Sequence, residues 1–297
     1  MPLSIRPLSV WTFSILNVLA LAAPDAMGAA CCGSSVAVPA IITGDDRAQV
    51  SASFSHMEIF TDVGSDSIWR RRARSETKET LKLEAAHIFK DRWQAGATVP
   101  LVDGEQGDLS LNVAYEFLTN WDYHPWRPKG FVYFQMTAPT GISPYDGKPP
   151  GDVTGKGFYT PSIGAFLLKD VGRWDFYSGL LLRQPLARDF ETADSSGRLH
   201  PGLGGQLSLG AGRRLSRELR LGALLVWEYD DPIKVTGPTP SSGAVERGCS
   251  AVASASYDLN GEKTVSFAYT DQSLFGSPTN TSLGRTVSVF FQKRWLR

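Results

Sequence analysis

Leu109-Ser110-Leu111-Asn112-Val113-Ala114-Tyr115-Glu116-Phe117 alternates without a break. Leu109, Leu111, Val113, Tyr115 and Phe117 share one phase, and Ser110, Asn112, Ala114 and Glu116 share the other. Successive side chains of a β-strand point to opposite faces, so a period of two describes a strand with one apolar and one polar face. The same period returns at Leu81, Leu83, Ala85 and Phe89, at Leu219, Leu221, Ala223, Leu225, Trp227 and Tyr229, at Val265, Phe267 and Tyr269, and at Val287, Val289, Phe291 and Trp295. Helical spacing groups none of these sets as well.

Working outward from that stretch, the alternation predicts twelve strands: 49–60, 79–90, 93–101, 108–118, 130–137, 158–169, 174–186, 202–213, 219–229, 250–258, 263–270 and 285–295. The connections alternate in length. Those at 61–78, 138–157, 187–201, 230–249 and 271–284 are long, and those at 91–92, 170–173, 215–218 and 260–261 are short, the last an Asn-Gly pair suited to a tight hairpin. Two depart from the pattern: 102–107 is short in a long position and 119–129 is long in a short one. Short turns at one rim and long loops at the other predict an all-β fold, a single transmembrane antiparallel barrel with short periplasmic turns and long extracellular loops. A soluble sandwich would give no reason for the asymmetry of the rims.

Composition agrees. The 297 residues carry 30 Lys plus Arg against 30 Asp plus Glu, leaving no general basic surface for nucleic acid. Beyond residue 23 no apolar run approaches the roughly 18 residues that a membrane helix needs. Aromatics group at strand ends: Trp93, Trp174 and Trp295 on the short-turn side with Trp121, Tyr123 and Trp126 in the adjoining turn, and Trp227, Tyr229, Phe158 and Tyr159 at the other edge. Rings with one apolar part and one hydrogen-bonding part favour the bilayer interface, so two girdles are expected.

The first 30 residues predict an export signal, with Arg6 as its positive end, an apolar stretch at 10–23 and small residues Gly28, Ala29 and Ala30. Residues 31–48 then form a short periplasmic segment and 49–297 the barrel. The alternative for 31–48 is that it folds inwards as a plug. Cys31, Cys32 and Cys249 are too few for a disulfide scaffold and lack metal-site spacing.

Over residues 48–297 the pattern resembles Gram-negative outer-membrane β-barrels, and the last strand, VSVFFQKRW, resembles their C-terminal assembly signal, with Leu296 and Arg297 following the aromatic residue. The stretch FVYFQMTAPTG, then a glycine-rich loop and FYTPSIGAFLLKDVGRWDFYSG, is similar to the barrel family named for the MetA pathway of phenol degradation. That resemblance spans residues 131–179. It implies an outer-membrane channel or transport component for small molecules, with membrane lipid, lipopolysaccharide and the barrel-assembly machinery as partners.

Enzymatic readings find little support. A barrel phospholipase needs His and Ser two places apart on one strand face, yet His56 is followed by Glu58, His87 by Phe89, His124 by Trp126 and His200 by Gly202. No GxSxG or HExxH occurs. Asp146 and Asp152 do not have the spacing of a calcium loop, so no metal or cofactor is expected. Arg70, Arg71, Arg72 and Arg74 form a basic run in the first long loop that could meet lipopolysaccharide phosphates or simply be solvated.

The polar phases assign Lys82, Glu84, Glu116, Asp175, Arg183, Arg220, Glu228 and Arg294 to the lumen, four basic and four acidic. With small neighbours Ser110, Ala114, Gly179, Ser208, Gly210 and Ser266 they predict a watered interior unless the opposite charges pair and close it. Passage of small-molecule solutes is the function this supports. A non-conducting surface barrel, whose loops bind lipopolysaccharide, a protein partner or another cell, is second, and an outer-membrane hydrolase third. On a background lacking native thiols, an impermeant thiol reagent should label a Ser277→Cys variant on intact cells and spare a Gly261→Cys variant. Equal labelling would contradict this topology.

Overall fold

The computed structural model describes residues 39–120, 124–192, 196–238 and 240–296. The predicted export signal, Cys31, Cys32, Trp121 and Tyr123 lie outside the described residues.

Twelve strands form the barrel: β1 (Asp46–Val63), β2 (Trp69–Lys90), β3 (Trp93–Val102), β4 (Leu109–Leu118), β5 (Lys129–Ala138), β6 (Thr160–Val171), β7 (Trp174–Arg183), β8 (Gly204–Arg214), β9 (Leu219–Asp230), β10 (Glu246–Asp258), β11 (Lys263–Asp271) and β12 (Thr281–Leu296). Each pairs antiparallel with its neighbours in chain order, and a two-residue strand, Glu105–Gln106, hangs from β3. The ring closes where β12 pairs with β1, from Ala48 opposite Trp295 to Val63 opposite Thr281. Closure leaves no strand edge, as a sheet in hydrocarbon requires.

Two strand-phase sets face opposite solvents. Leu111, Val113, Phe134, Ile163, Leu209, Phe267 and Val287 are exposed large apolar residues on the outer face. Such a continuous apolar surface is what a bilayer covers and water does not. Trp93, Trp174 and Trp295 are exposed on the short-turn rim, and Tyr159 and Tyr229 on the long-loop rim.

Several boundaries differ from expectation for identifiable reasons. Most of 61–78 is strand, because β1 and β2 continue past the apolar belt to a turn at residues 64–68. There Arg72 donates to Asp62 at 2.8 Å and also pairs with Glu76, while Arg70 pairs with Asp66. Outside the membrane no apolar phase is required, so charge pairs replace the alternation that marks the other strands. Phe158 precedes β6 and is buried against Tyr145, with ring centroids 5.7 Å apart, so it does not belong to the outer girdle. β7 ends at Arg183, ahead of Pro185, which has no N–H for a ladder.

The long loops have structure of their own. Arg188–Glu191, Ser196–His200, Lys234–Thr236 and Ser241–Ser242 form a small antiparallel sheet that joins the β7–β8 connection to the β9–β10 connection at the outer mouth.

The lumen and its closing segment as candidate functional site

Each of the eight charges picked from the polar phases has an opposite charge beside it. Lys82 meets Glu84 at 2.7 Å, Glu116 meets Lys129 at 3.7 Å, and Arg294 meets Asp258 at 2.9 Å. Arg183 grips Asp230 with two hydrogen bonds of 2.8 and 2.7 Å and lies 3.9 Å from Glu228. Arg220 donates from Nε to Asp175 at 2.7 Å. Apart from Glu228, whose side chain is 40% exposed, these side chains are 4 to 15% exposed. A charge so far out of water must be paired, since an isolated one would cost several kcal/mol. The partners Lys129, Asp230 and Asp258 are missed by strand-phase reading because they sit at strand ends, where alternation fades.

Two of these pairs reach across a whole strand, and glycine makes that reach feasible. Gly204 on β8 lies opposite Arg183 of β7 on one side and Asp230 of β9 on the other. A Cβ at Gly204 would overlap the Asp230 carboxylate and the Arg183 side chain. Gly212, eight residues along the same face, lies under Arg220 where its guanidinium crosses from β9 to Asp175 on β7. The two glycines act as saddles for bridges that tie β7 to β9 over β8.

Small inward residues do not leave room for water as composition alone suggests. Tyr133 leans over Gly164, the Tyr177 hydroxyl over Gly179, and Leu224 over Gly210. Large neighbours fill the space that the small residues open. Phe131 stacks on Phe166 with centroids 4.9 Å apart, and Tyr133, Tyr177, Val226, Val252 and Phe290 complete a buried apolar layer across the lumen.

Below this layer, toward the short-turn rim, the chain that precedes β1 enters the barrel. Four successive carbonyls each accept a hydrogen bond from a different wall strand: Ala40 from Asn112 Nδ2 (3.2 Å, β4), Ile41 from Gln49 Nε2 (3.2 Å, β1), Ile42 from Gln94 Nε2 (3.1 Å, β3) and Thr43 from Lys129 Nζ (2.9 Å, β5). The Ile42 N–H donates back to Gln94 Oε1 at 2.6 Å. Ile41 joins the aromatic layer, and Ile42 is buried with Ala86. Gly96 lies beneath the Ala40 carbonyl, where a Cβ would collide with it. At 40–43 the described part of 31–48 therefore runs within the ring of strands. Extended backbone inside a dry barrel needs partners for its carbonyls, and the wall supplies amide and ammonium donors at matching heights.

The outer mouth is cross-tied by loops. Lys156 lies 3.5 Å from Asp230, and Arg188 donates to Asp146 and to the Gly157 carbonyl, each at 2.7 Å. Burial alone would raise the Asp146 carboxyl, but the Arg188 hydrogen bond and the Ser143 N–H hold it below the ordinary carboxylate range. This clamp persists at neutral pH and is released only as pH falls through that lowered value. Near it β11 stops at Asp271, opposite Ala251, while β10 runs on to Glu246. Residues 272–280 fill the gap through the mutual Arg247 and Thr279 backbone bonds of 3.0 Å. A cavity of about 100 Å³ lies there, lined by Arg183, Glu228, Asp230, Ser250, Gln272 and Leu283.

The histidines stand apart. His56 lies on the outer face 3.6 Å from Glu79, and His200 lies 3.1 Å from Thr236 in the loop sheet. Among the described residues no group of three or more His, Cys, Asp or Glu side chains is arranged to hold a metal ion.

The architecture has a solved counterpart. An outer membrane channel from Pseudomonas putida F1 superposes with a TM-score of 0.70 at 13% identity, covering 89% of this chain and 99% of that one. The fold is that of an outer-membrane barrel. A TodX monoaromatic hydrocarbon channel mutant (9% identity, 85% of this chain and 91% of that one, TM-score 0.43) and the translocator domain of the autotransporter NalP from Neisseria meningitidis (9%, 84% and 88%, 0.38) are more distant, and nothing is argued from them. No family model matches the chain, and no curated protein matches it significantly.

The saddle geometry predicts that Gly204→Val destabilises the barrel by about 1–3 kcal/mol through loss of the charged hydrogen bonds above it. Gly205→Val, on the lipid-facing side of the same strand, should be nearly neutral, because its Cβ meets no atom closer than 3.4 Å. Urea unfolding in lipid vesicles reads both, and equal midpoints would contradict the saddle.

Proposed function

We propose that the protein is a closed-state outer-membrane channel for small molecules. The observation that carries this reading is the separate chain segment at 40–43 seated in the short-turn end of the lumen. A purely structural barrel can fill its interior with strand side chains, as narrow barrels do. Here a wall glycine and four wall donors accommodate a segment that can leave without unravelling a strand.

The eight lumen charges are then a lining that keeps its pairs while a solute passes, rather than a set of free ions. Solutes entering from the outer cavity meet the charged mouth at Arg183, Glu228 and Asp230 first, then the aromatic layer around Phe131, Phe166 and Tyr177. Small molecules that pair a polar group with an apolar face suit that sequence, and small ions pass beside them once the segment is displaced. The assembly machinery of the outer membrane is the expected partner in insertion, with the last strand and its outward Trp295 as the signal. The surface-binding alternative draws on the β1–β2 hairpin, whose tip exposes Ile68 and Trp69.

Planar-bilayer recordings of the mature protein, of a form lacking residues 31–44 and of Gly96→Val test the channel. Removing or displacing the segment should raise conductance severalfold over the unaltered protein. If all three are folded and none gives discrete conductance steps, the channel reading fails and the surface-binding one replaces it.

A further inference from the structure

The lipid-facing wall carries an unusual pair at its short-turn rim. Lys263 on β11 stands directly opposite Lys293 on β12. Both lie in the outward phase, with Val265, Phe267, Val289 and Phe291 following them up the wall. Like charges directly opposite in an antiparallel pair repel, and no ion pair relieves either ammonium among the described residues. The next residue, Arg294, turns inward to Asp258. Lys293 Nζ lies 4.9 Å from the Trp295 ring centroid, and Tyr257 and Leu259 flank the site from β10 and its turn.

The opposite rim is built differently. There Arg285 donates to Asp271 at 3.0 Å, and the His56 ring lies 3.6 Å from Glu79. At the short-turn rim Arg213 likewise rests on an aromatic ring, 5.3 Å from Trp174.

We propose that Lys263 and Lys293 form a binding site for an anionic phospholipid of the periplasmic leaflet. The headgroup phosphate sits between the two ammonium groups and relieves their repulsion. Trp295 and Tyr257 hold the interface on either side, and an acyl chain runs along the column formed by Val265 opposite Phe291 and Phe267 opposite Val289. This inference rests on placement of the barrel in a bilayer and is independent of whether the lumen conducts.

The test is native mass spectrometry of the mature protein released from nanodiscs of equimolar phosphatidylglycerol and phosphatidylethanolamine, counting retained lipid. The unaltered protein should retain phosphatidylglycerol preferentially, and K263Q/K293Q should lose roughly thirtyfold of that preference, in line with the attraction of two interfacial lysines. K263R/K293R should keep it, and R71Q/R74Q at the outer hairpin should leave it unchanged. Heat-modifiable gel mobility reports folding. If the double glutamine variant does not fold, K263Q and K293Q singly are read in the same way. Absence of preference in the unaltered protein, undiminished preference in the folded glutamine variants, or its loss only in R71Q/R74Q would overturn the proposal.

Discussion

A backbone N–H or C=O left unpaired in hydrocarbon costs several kcal/mol, and the rest of this structure follows from that constraint. It forces the sheet to close, which β12 does by pairing with β1 over the length of both strands. Closure then divides every strand into a lipid face and a lumen face. The lipid face must be apolar through the bilayer, so charge within the belt goes inside, and inside it must be paired. The bridges Arg183–Asp230, Arg220–Asp175 and Arg294–Asp258 are consequences of the same rule that made Leu111, Val113 and Phe134 face outward.

The constraint also explains how the lumen is closed. Residues 40–43 bring four carbonyls into a space with little water, and each is met by a side chain from a different strand. Gln94 answers both polar groups of Ile42, its N–H and its C=O. Because most of these contacts go to backbone, the segment is held by its path as much as by its side chains. Ile41 and Ile42 add apolar burial without adding charge.

Much of the fold was legible along the chain. One unbroken alternation at Leu109–Phe117 set the period, its repeats set the strand count, and the loop lengths set the rims. The polar phase shared by Lys82, Glu84, Glu116, Asp175, Arg183, Arg220, Glu228 and Arg294 is read within each strand. What phase does not carry is the neighbour two strands away. Arg183 and Asp230 are 47 residues apart and meet only because Gly204 leaves the strand between them bare. The small inward residues were misleading for a related reason: a glycine signals space, and nothing local says whether water or the Tyr133 ring takes it. Gln94 was not singled out and Asn112 read as an ordinary polar-phase amide, since their partners lie 52 and 72 residues off in a segment without periodicity. The hairpin at 61–78 escaped because its alternation is one of charge pairs instead of apolar residues.

The central claim is that the chain before β1 is seated inside the lumen by its backbone. Hydrogen exchange at the Ile42 amide in the folded, membrane-reconstituted protein tests it most directly, because that N–H donates to Gln94 within the barrel. Protection well above that of the unstructured chain, falling to the unprotected rate in Gln94→Ala while the barrel strands stay protected, is the predicted result. Exchange at the unprotected rate in the unaltered protein would contradict the account.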